Sequence, residues 1–382
     1  MIQEISIKNF KSIKQANTKF PKFIGAIVGK NAVGKTNLIQ AINFVRNLAV
    51  GIDTASALKK TALTPQEIYN YNDSSADIDI RIQLCSPEDI KYILELIISP
   101  ANGEQPMPNL LVKSETLHRI DNQEASVIIY KRNESILTDK DGNNIPLAVE
   151  SDKLAVSQYQ NQDALRVKNV FSNVFIPEQD SIDFRESIVK SDDKGLASLV
   201  VRLRQANGGS LFEQFQTIIK RLLPQFSSLV EIPSTQITNT PDSENLFMVL
   251  LEEENLKGKL SMKSVSAGDL RTLYLIASAM YLKPNSTLIF EEIENGLHPK
   301  RLNDLLDSLM SISRKKDMQI LFTTHSSAVI NLMSPHEVIY VEKETTDGTT
   351  FRLLSDSSHI SQIDKVLKEG ITLTDYIFSR MQ

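Results

Sequence analysis

The sequence predicts an α/β fold in which one domain is interrupted by a long insertion. Residues Phe23–Val28 form a short apolar run and lead into the loop Gly29–Thr36, after which apolar residues return at helical spacing as far as Val45. From Gly268 onward, helical patterns alternate with apolar strands, as in a mostly parallel sheet. Between these sections, residues 75–150 show the alternation of antiparallel strands. The two α/β sections are therefore expected to be halves of one domain.

The individual elements follow from the spacing of apolar residues. In the first half, residues 2–10 predict a strand that enters a turn at Asn9. The middle section predicts three strands, with a turn at 100–108 between the second and the third and another turn at 139–146. Two helices within 194–223, joined at Gly208-Gly209, and a further strand follow. The four strands are Asp77–Leu84, Lys91–Ser99, Val127–Tyr130 and Leu246–Leu251. The second half predicts helices from Gly268 to about Leu282, from near Pro299 and over Ser327–Leu332, and strands at Thr287–Phe290, Met318–Thr323 and Glu337–Val341. The predicted domains are a head of 1–75 and 245–382, and an inserted β-rich and helical arm of 76–244.

Composition excludes several classes of protein. The single cysteine, Cys85, rules out an intrachain disulfide and a cysteine-based zinc site. No apolar run is long enough to span a bilayer, and the N-terminus carries no signal sequence, so we expect a cytoplasmic protein without a membrane partner. The net charge of −5 gives no general basic field for nucleic acid. Arg314–Lys316 is expected to complement the C-terminal dipole of its own helix.

The loop Gly29–Thr36 fits the pattern Gly-x4-Gly-Lys-Ser/Thr, which cradles phosphates. Its backbone amides can turn toward phosphate oxygens, and the helix that follows adds a favourable dipole. Lys35 is expected to bridge the β- and γ-phosphates, while Thr36 offers its hydroxyl to Mg²⁺. ATP and Mg²⁺ are thus the expected ligands. The predicted nucleotide-binding residues are Gly29, Lys30, Asn31, Ala32, Val33, Gly34, Lys35, Thr36 and Asn37.

Two adjacent acids end the apolar strand before residue 291. The first acid in P-loop ATPases helps to hold Mg²⁺, so Glu291 is the expected metal ligand beside Thr36, although Asp is usual there. Glu292 is placed to act as general base toward the attacking water. His325 follows the next apolar strand, from which it could reach the γ-phosphate. The structural alternatives are a solvated strand end and a histidine at a helix start, which is the expected role of His298.

Ser266 and Gly268 precede the first helix of the second half. Ser266 is expected to cap that helix. The functional interpretation adds that Ser266 and the amide of Gly268 meet the γ-phosphate of ATP bound to a second molecule. This interpretation depends on the order of the motifs along the chain, because Ser-x-Gly alone is uninformative.

The order of these motifs resembles the ABC-ATPase superfamily. More narrowly, Ile7–Ser12 and Glu294–Pro299 resemble RecF-like and OLD-family ATPases, with the stand-alone AAA/OLD-type ATPases of bacterial phage-defence operons as the best match. The resemblance spans roughly 1–50 and 260–345. It implies an α/β, ABC-type P-loop head with a β-rich N-terminal lobe and an inserted helical and β section. It also implies a homodimer or larger oligomer that traps ATP between the P-loop of one copy and Ser266 and Gly268 of another.

Three departures narrow the resemblance. The region around Ser266 lacks the Leu-Ser-Gly-Gly-Gln wording of transporters, which argues against a transporter subunit. A Q-loop glutamine has one candidate, Gln83. The OLD nucleases carry a C-terminal Toprim domain, and too few residues follow Val341 for one.

Three functions remain open at this point. The first is an ATP-driven dimeric switch that controls a separately encoded effector, a nuclease or toxin, in antiviral defence. The second is a RecF-like repair ATPase that binds DNA, for which nucleic acid would be a partner. The third is a scaffold that senses ATP without hydrolysing it, and the presence of both Glu292 and His325 disfavours it.

Overall fold

The computed structural model describes residues 1–69, 76–100, 110–121, 124–177, 188–190, 195–233, 246–344, 348–356 and 360–379. The strands are β1 (Ile2–Phe10), β2 (Ile13–Lys19), β3 (Ile24–Val28), β4 (Ile78–Cys85), β5 (Lys91–Pro100), β6 (Leu110–Ile120), β7 (Ser126–Asn133), β8 (Ile136–Asp139), β9 (Val174–Phe175), β10 (Ile188–Lys190), β11 (Phe226–Pro233), β12 (Leu246–Glu253), β13 (Lys259–Ser261), β14 (Thr287–Phe290), β15 (Gln319–Thr324), β16 (Val338–Glu344) and β17 (Gly348–Leu353). The helices are α1 (Lys35–Ala49), α2 (Thr54–Lys60), α3 (Ala155–Gln158), α4 (Gln162–Ser172), α5 (Leu196–Gln205), α6 (Ser210–Leu222), α7 (Ala267–Tyr281), α8 (Pro299–Lys316), α9 (Ser327–Ile330), α10 (Ile360–Lys368) and α11 (Leu373–Ser379).

The chain forms two compact units, each assembled from separate stretches of sequence. Unit 1 comprises Met1–Ile176, Asn285–Glu291 and Met318–Gln382, and unit 2 comprises Pro177–Pro284 and Glu292–Asp317. These bounds do not coincide with the predicted domain boundaries. The strands of 78–139 continue the sheet of unit 1, whereas residues 246–284 belong to unit 2. Whether the section 76–244 serves as an arm for partners stays a prediction.

Unit 1 is built on one thirteen-stranded sheet. Its strand order is β8-β7-β6-β5-β4-β1-β2-β17-β16-β3-β15-β14-β9. The β4–β8 run is antiparallel throughout, while β16, β3, β15 and β14 are parallel to one another. Strands β3 and β15 each have a neighbour on both sides, and every residue of both strands is buried, which fits their largely apolar sequences. Helix α1 covers one face through an apolar stripe that includes Leu38, Ile42 and Val45.

In the part that the structure describes, unit 2 combines a small antiparallel sheet with four α-helices. Strands β10, β12 and β11 lie side by side, and β13 pairs with β12. The two helices predicted within 194–223 are α5 and α6, and the turn between them contains Asn207 and Gly208 in left-handed conformations, as the Gly-Gly pair indicated. Helix α8 is the longest helix of this unit among the described residues.

Arg314, Lys315 and Lys316 lie in the last turn of α8, as predicted, and Lys316 has a further role. Lys316 donates hydrogen bonds to the carbonyls of Ala279, Met280 and Leu282, at the end of α7. The cation therefore satisfies orphan carbonyls of a neighbouring helix. Its burial lowers the pKa of Lys316 to about 8.

Most predicted elements are present, but several strands and helices of the structure were not predicted, among them β2, β17, α4 and α10. The predicted strands of 77–84, 91–99 and 127–130 correspond to β4, β5 and β7. Strand β6 was not predicted, although it pairs with both β5 and β7. The predicted turn at 100–108 lies almost wholly outside the described residues.

Candidate active site

Three parallel strands of unit 1 bring the predicted site residues to one edge of the sheet. Strand β15 lies between β3 and β14, and its register places Thr324 opposite Val28. The residues that follow these strands, Gly29, Glu291 and His325, therefore leave the same edge. Ligands in open α/β sheets bind at the carboxyl ends of the strands, so this edge is the candidate nucleotide site.

The loop between β3 and α1 has the backbone that the glycine pattern predicts. Gly34 has φ 111°, a conformation that L side chains rarely adopt, and α1 starts at the next residue, Lys35. A Cβ on Gly34 would lie 2.5 Å from Oγ1 of Thr349, and one on Gly29 would lie 2.4 Å from the carbonyl oxygen of Val341. Glycine is thus required at both ends of the loop by the strands packed against it.

The ammonium of Lys35 lies over its own loop. Its Nζ donates to the carbonyl oxygens of Gly29 at 2.7 Å and Lys30 at 2.8 Å. These bonds hold the positive charge at the loop from which helix α1 starts. The charge and the helix dipole act together there, and both attract an anion.

The predicted metal ligands are in direct contact. Thr36 Oγ1 donates to Oε2 of Glu291 at 2.7 Å. Two oxygen ligands at right angles on Mg²⁺ lie about 3 Å apart, given metal–oxygen distances of about 2.1 Å. The pair therefore fits one edge of a magnesium coordination shell. Among the described residues, no cluster of three or more His, Cys, Asp or Glu could hold a metal.

His325 lies at the end of β15 with an exposed ring. The next element, α9, begins two residues later, and its first turn is held by the C-terminal helix α11. Thr374 Oγ1 donates to the carbonyl of Ser327 at 3.3 Å, and the Thr374 amide donates to Oδ1 of Asn331 at 2.9 Å. The histidine thus follows a buried strand and precedes a braced helix.

Within unit 2, Ser266 is the N-cap of α7, as the sequence predicted. Its side chain accepts a hydrogen bond from the amide of Asp269 at 3.1 Å, and Ser266 is exposed. Gly268 packs against the backbone of the following loop, since a Cβ there would lie 2.0 Å from the carbonyl oxygen of Gly296. The carboxylate of Asp269 also pairs with the guanidinium of Arg301 at the start of α8. The start of α7 is therefore fixed to the loop and helix that follow Glu292.

Glu292 has an unusual backbone that a neighbouring arginine supports. Its φ is 50°, and its side chain is exposed. Arg271 Nη2 donates to the carbonyl oxygen of Glu292 at 2.8 Å, and burial lowers the pKa of Arg271 while Glu292 and Glu294 oppose that shift. A left-handed non-glycine residue costs of order 1 kcal/mol or more, so this contact helps to hold the turn that carries the predicted base.

One predicted residue lies in the wrong place. Gln83 pairs with Glu4 near the start of β1, and its amide donates to Gln3 at 3.0 Å. The first turn of α1, which follows the phosphate loop, instead contacts Ser12, just beyond the far end of β1, through Asn37. The interpretation of Gln83 as a Q-loop glutamine is therefore wrong, because β4 runs antiparallel to β1 and carries it away from the site. His298 is the N-cap of α8, as expected.

The sequence missed three residues that contact the site. Arg271 lies three positions after Gly268, in the helix that Ser266 caps. Ser12 ends the Asn-Phe-Lys-Ser stretch, which supported the resemblance without receiving a role. Thr349 lies in a Gly-Thr-Thr stretch that matches no motif, and only the fold brings it to the loop.

Comparisons with known proteins bear on the fold and on the family of this chain. A crystal structure described as the SmcHead bound to the C-winged helix domain of ScpA has a TM-score of 0.50, with 16% sequence identity, over 92% of this chain and 97% of that one. This similarity concerns the fold alone, and it confirms the predicted α/β head. None of the helices in the described parts of the chain is long and apolar enough to cross a membrane.

Relatives by sequence include proteins that match along the whole chain and proteins that match short segments. A Helicobacter pylori protein named ATP/GTP phosphatase is 24% identical over 94% of both chains. The DNA replication and repair protein RecF of Porphyromonas gingivalis is 44% identical over 45 residues, 12% of each chain. The family model described as "AAA domain, putative AbiEii toxin, Type IV TA system" matches residues 24–331. The match covers most of the chain and confirms the predicted class of P-loop ATPase, so this chain belongs to that AAA domain family.

Proposed function

We propose that this chain binds ATP with Mg²⁺ at the carboxyl edge of β3, β15 and β14, hydrolyses it, and acts as a dimeric switch for a separately encoded effector. The observation that carries the proposal is the direct contact between Thr36 and Glu291 beside the loop of Lys35. A phosphate-binding loop, a hydroxyl and a carboxylate at one edge are the groups that a P-loop NTPase needs.

Each predicted site residue in unit 1 has a definite role in this proposal. The backbone amides of 29–36 and the ammonium of Lys35 hold the phosphates, and Thr36 and Glu291 hold Mg²⁺. The metal, when bound, neutralises charge on the β- and γ-phosphate oxygens. His325, which follows β15, donates a hydrogen bond to the γ-phosphate.

The proposed general base is Glu292, the residue after Glu291. Glu292 accepts a proton from the attacking water, a role that a carboxylate within hydrogen-bond reach can perform. Its exposed side chain and its left-handed backbone, held by Arg271, support this assignment. Stored backbone strain of this kind is common at functional sites.

The partner in ATP binding is a second copy of this chain. Ser266 and Gly268 stand at the N-terminus of the fifteen-residue helix α7, where helix amides and the dipole favour an anion. We propose that they complete the site of the other copy by contacting its γ-phosphate. Dimerisation would then depend on the intact triphosphate.

The effector proposal rests on the family rather than on geometry. The family description names a toxin and a type IV toxin–antitoxin system. A separately encoded toxin or nuclease is therefore the proposed partner, with antiviral defence as the setting. A role in DNA repair has less support, because the similarity to RecF spans only 12% of the chain and the net charge is −5.

The enzymatic part is tested with two variants. Lys35→Ala should lose ATP binding, whereas Glu292→Gln should bind ATP and hydrolyse it at least ~100-fold more slowly, as expected for loss of a general base. Binding is measured by calorimetry and turnover by phosphate release, with both ATP and GTP as substrates. Normal turnover in Glu292→Gln would remove its role as base.

The switch is tested by co-expression with the protein encoded beside this gene. Growth arrest or nucleic-acid cleavage by that protein should differ between wild type, Lys35→Ala and Glu292→Gln. Lys35→Ala is expected to represent the empty state, and Glu292→Gln the ATP-bound state. An identical effect of all three on a neighbour that binds the chain would contradict nucleotide control.

A further inference from the structure

A chain of hydrogen bonds links the first turn of α1 to the second half of the phosphate loop. Asn37 Nδ2 donates to Oγ of Ser12 at 2.6 Å, and Ser12 Oγ lies 2.7 Å from Oγ1 of Thr349. Thr349 Oγ1 in turn donates to the carbonyl oxygen of Val33 at 2.7 Å. The chain thus begins in the first turn of α1 and ends on the loop, immediately before Gly34.

The direction of each bond follows from counting hydrogens. A threonine hydroxyl has one hydrogen, and that of Thr349 points to the carbonyl of Val33. The hydroxyl of Ser12 must therefore donate to Thr349, and it accepts the hydrogen of Asn37. Each member satisfies the next, and the two hydroxyls have no freedom to exchange roles.

The two middle members come from opposite ends of the sequence. Ser12 follows β1, and Thr349 is the second residue of β17 and is fully buried. Their backbones are also joined, since the amide of Thr349 donates to the carbonyl of Ser12 at 2.9 Å. Both residues lie outside the segment 24–331 that the family model matches. No motif of the phosphate loop includes either residue.

We propose that Thr349, together with Ser12, is a positioning residue that holds the phosphate loop in its binding conformation. The proposal rests on the proposed function in one respect, namely that this loop binds ATP. The pair fixes the carbonyl of Val33 on one side of Gly34 and the side chain of Asn37 on the other. The backbone amides between them are therefore aimed before the phosphates arrive, which reduces the ordering that binding must otherwise supply.

The expected consequence is a change in affinity rather than in chemistry. Thr349→Val keeps the shape of the side chain but leaves the carbonyl of Val33 without its donor. We expect the Kd and the KM for ATP to rise about fivefold or more, as for loss of one buried hydrogen bond, with kcat changed less than about twofold. Thr349→Ser, which keeps the hydroxyl, should restore both constants to within about twofold of wild type.

Two further variants complete the test. Ser12→Ala should raise the KM as Thr349→Val does, and the double variant should be little worse than either single one, because both interrupt the same chain of bonds. Thr350→Val is the matched control, since Thr350 is the next residue of β17, half-buried and on the other face of the strand. It should leave the KM unchanged. Thermal melting of each variant accompanies the kinetics.

The outcomes separate this proposal from the proposed function. If Lys35→Ala abolishes ATP binding while Thr349→Val and Ser12→Ala bind ATP like wild type, the positioning role is refuted and the site stands. If Lys35→Ala binds ATP normally, the site itself is refuted. A fall in kcat at constant KM, or equal effects of Thr349→Val and Thr350→Val, would also overturn the positioning role. Should Thr349→Val fail to fold, the KM of Ser12→Ala decides the matter.

Discussion

The hydroxyl of Thr36 donates a 2.7 Å hydrogen bond to Oε2 of Glu291, 255 residues further along the chain. The bond joins the first turn of α1 to the end of β14 within unit 1. Because both partners are oxygen atoms suited to Mg²⁺, the contact that stabilises this edge also gathers the proposed metal ligands. Fold and metal site are therefore difficult to change independently here.

The first prediction concerns this carboxylate. Glu291→Gln removes a negative charge from the proposed Mg²⁺ ligand but keeps the size of the side chain. We expect the Mg²⁺ concentration for half-maximal ATPase activity to rise about tenfold or more, because metal sites lose affinity steeply when a ligand or its support changes. The Mg²⁺ concentration that Glu291→Asp needs for half-maximal activity should lie between those of wild type and Glu291→Gln. Magnesium titrations of turnover at saturating ATP provide the measurement.

The matched control is Glu134→Gln, which removes an exposed carboxylate of the same unit in the turn between β7 and β8. Its magnesium dependence should equal that of wild type. A wild-type magnesium dependence in Glu291→Gln would show that this carboxylate does not hold the metal, and that the hydrogen bond to Thr36 is structural only.

The second prediction concerns the turn at Glu292. Arg271→Leu removes the 2.8 Å hydrogen bond to the carbonyl of Glu292. Since the backbone there is left-handed, its release should let the carboxylate leave its position. We expect kcat to fall about tenfold with the ATP KM within about twofold, as for a displaced general base. Steady-state kinetics and thermal melting distinguish this from loss of folding.

Arg271→Lys serves as the conservative companion, since an ammonium can still donate to one carbonyl. It should recover part of the lost kcat. The positioning role would be contradicted by a variant with raised KM and normal kcat, which would place Arg271 at the nucleotide instead.

The sequence predicts the local motifs of the site but not the contacts that hold them. Lys35, Thr36 and Glu291 belong to patterns with a chemical reason for each residue type, and parallel strands bring such patterns to one edge. Thr349 contributes a hydroxyl to a loop more than 300 residues earlier, and a single hydroxyl in a strand carries no pattern. The prediction for Gln83 was wrong for a related reason. The direction of a strand decides at which end of the sheet a residue lies, and the periodicity of apolar residues does not reveal that direction.

The middle section of the chain also shows that apolar periodicity does not reveal which elements pair. Alternation within 77–130 correctly indicated antiparallel strands, but it could not show that they extend the sheet of the nucleotide site. Strand β6 was missed because its inward positions include Glu115, an acid that breaks the apolar pattern. The reason for an acid there is visible only in the fold.

The third prediction concerns that buried acid. Glu115 is fully buried, and its carboxylate accepts hydrogen bonds from the Tyr130 hydroxyl at 2.5 Å and the amides of Ala155 at 2.6 Å and Val156 at 2.9 Å. Arg132, also fully buried, lies 3.9 Å away. Glu115→Ala leaves the three donors without their acceptor and leaves the buried guanidinium, which keeps its hydrogen bonds to backbone carbonyls, without a neighbouring negative charge. The free energy of unfolding should therefore fall by about 3–5 kcal/mol. Urea unfolding followed by circular dichroism gives the value.

The control is the exposed acid on the adjacent strand. Glu95 lies 3.5 Å from Arg81 and 3.2 Å from His118, with its side chain 40% exposed. Glu95→Gln should change the free energy of unfolding by at most about 1 kcal/mol, because exposed pairs contribute little. Equal losses in the two variants would show that the buried network contributes no more than a surface pair.

The fourth prediction concerns Ser266, and its design must separate helix capping from phosphate binding. Ser266 caps α7 through the amide of Asp269. Asn and Asp cap helices as well as Ser does, so Ser266→Asn and Ser266→Asp should both preserve stability to within about 1 kcal/mol. Only Asp adds a negative charge. If the γ-phosphate of a second copy binds here, Ser266→Asp should lose ATPase activity and ATP-dependent dimerisation, and Ser266→Asn should keep most of both. Gly268 is unsuitable for this test, since a Cβ there would strike the carbonyl of Gly296.

Mixing two inactive proteins then shows whether the site is shared between copies. In a head-to-tail pair of Lys35→Ala with Ser266→Asp, one site combines the altered loop with the altered helix start, and the other combines two intact halves. Activity should therefore return on mixing, to at most about half of the wild-type value if all dimers are mixed and the sites act independently. The size of Glu292→Gln in solution should also depend on ATP, since the triphosphate is part of the proposed interface. A lack of rescue in mixed dimers that demonstrably form would refute the shared site. So would a Ser266→Asp protein with normal turnover, because a carboxylate facing the γ-phosphate cannot be neutral in its effect.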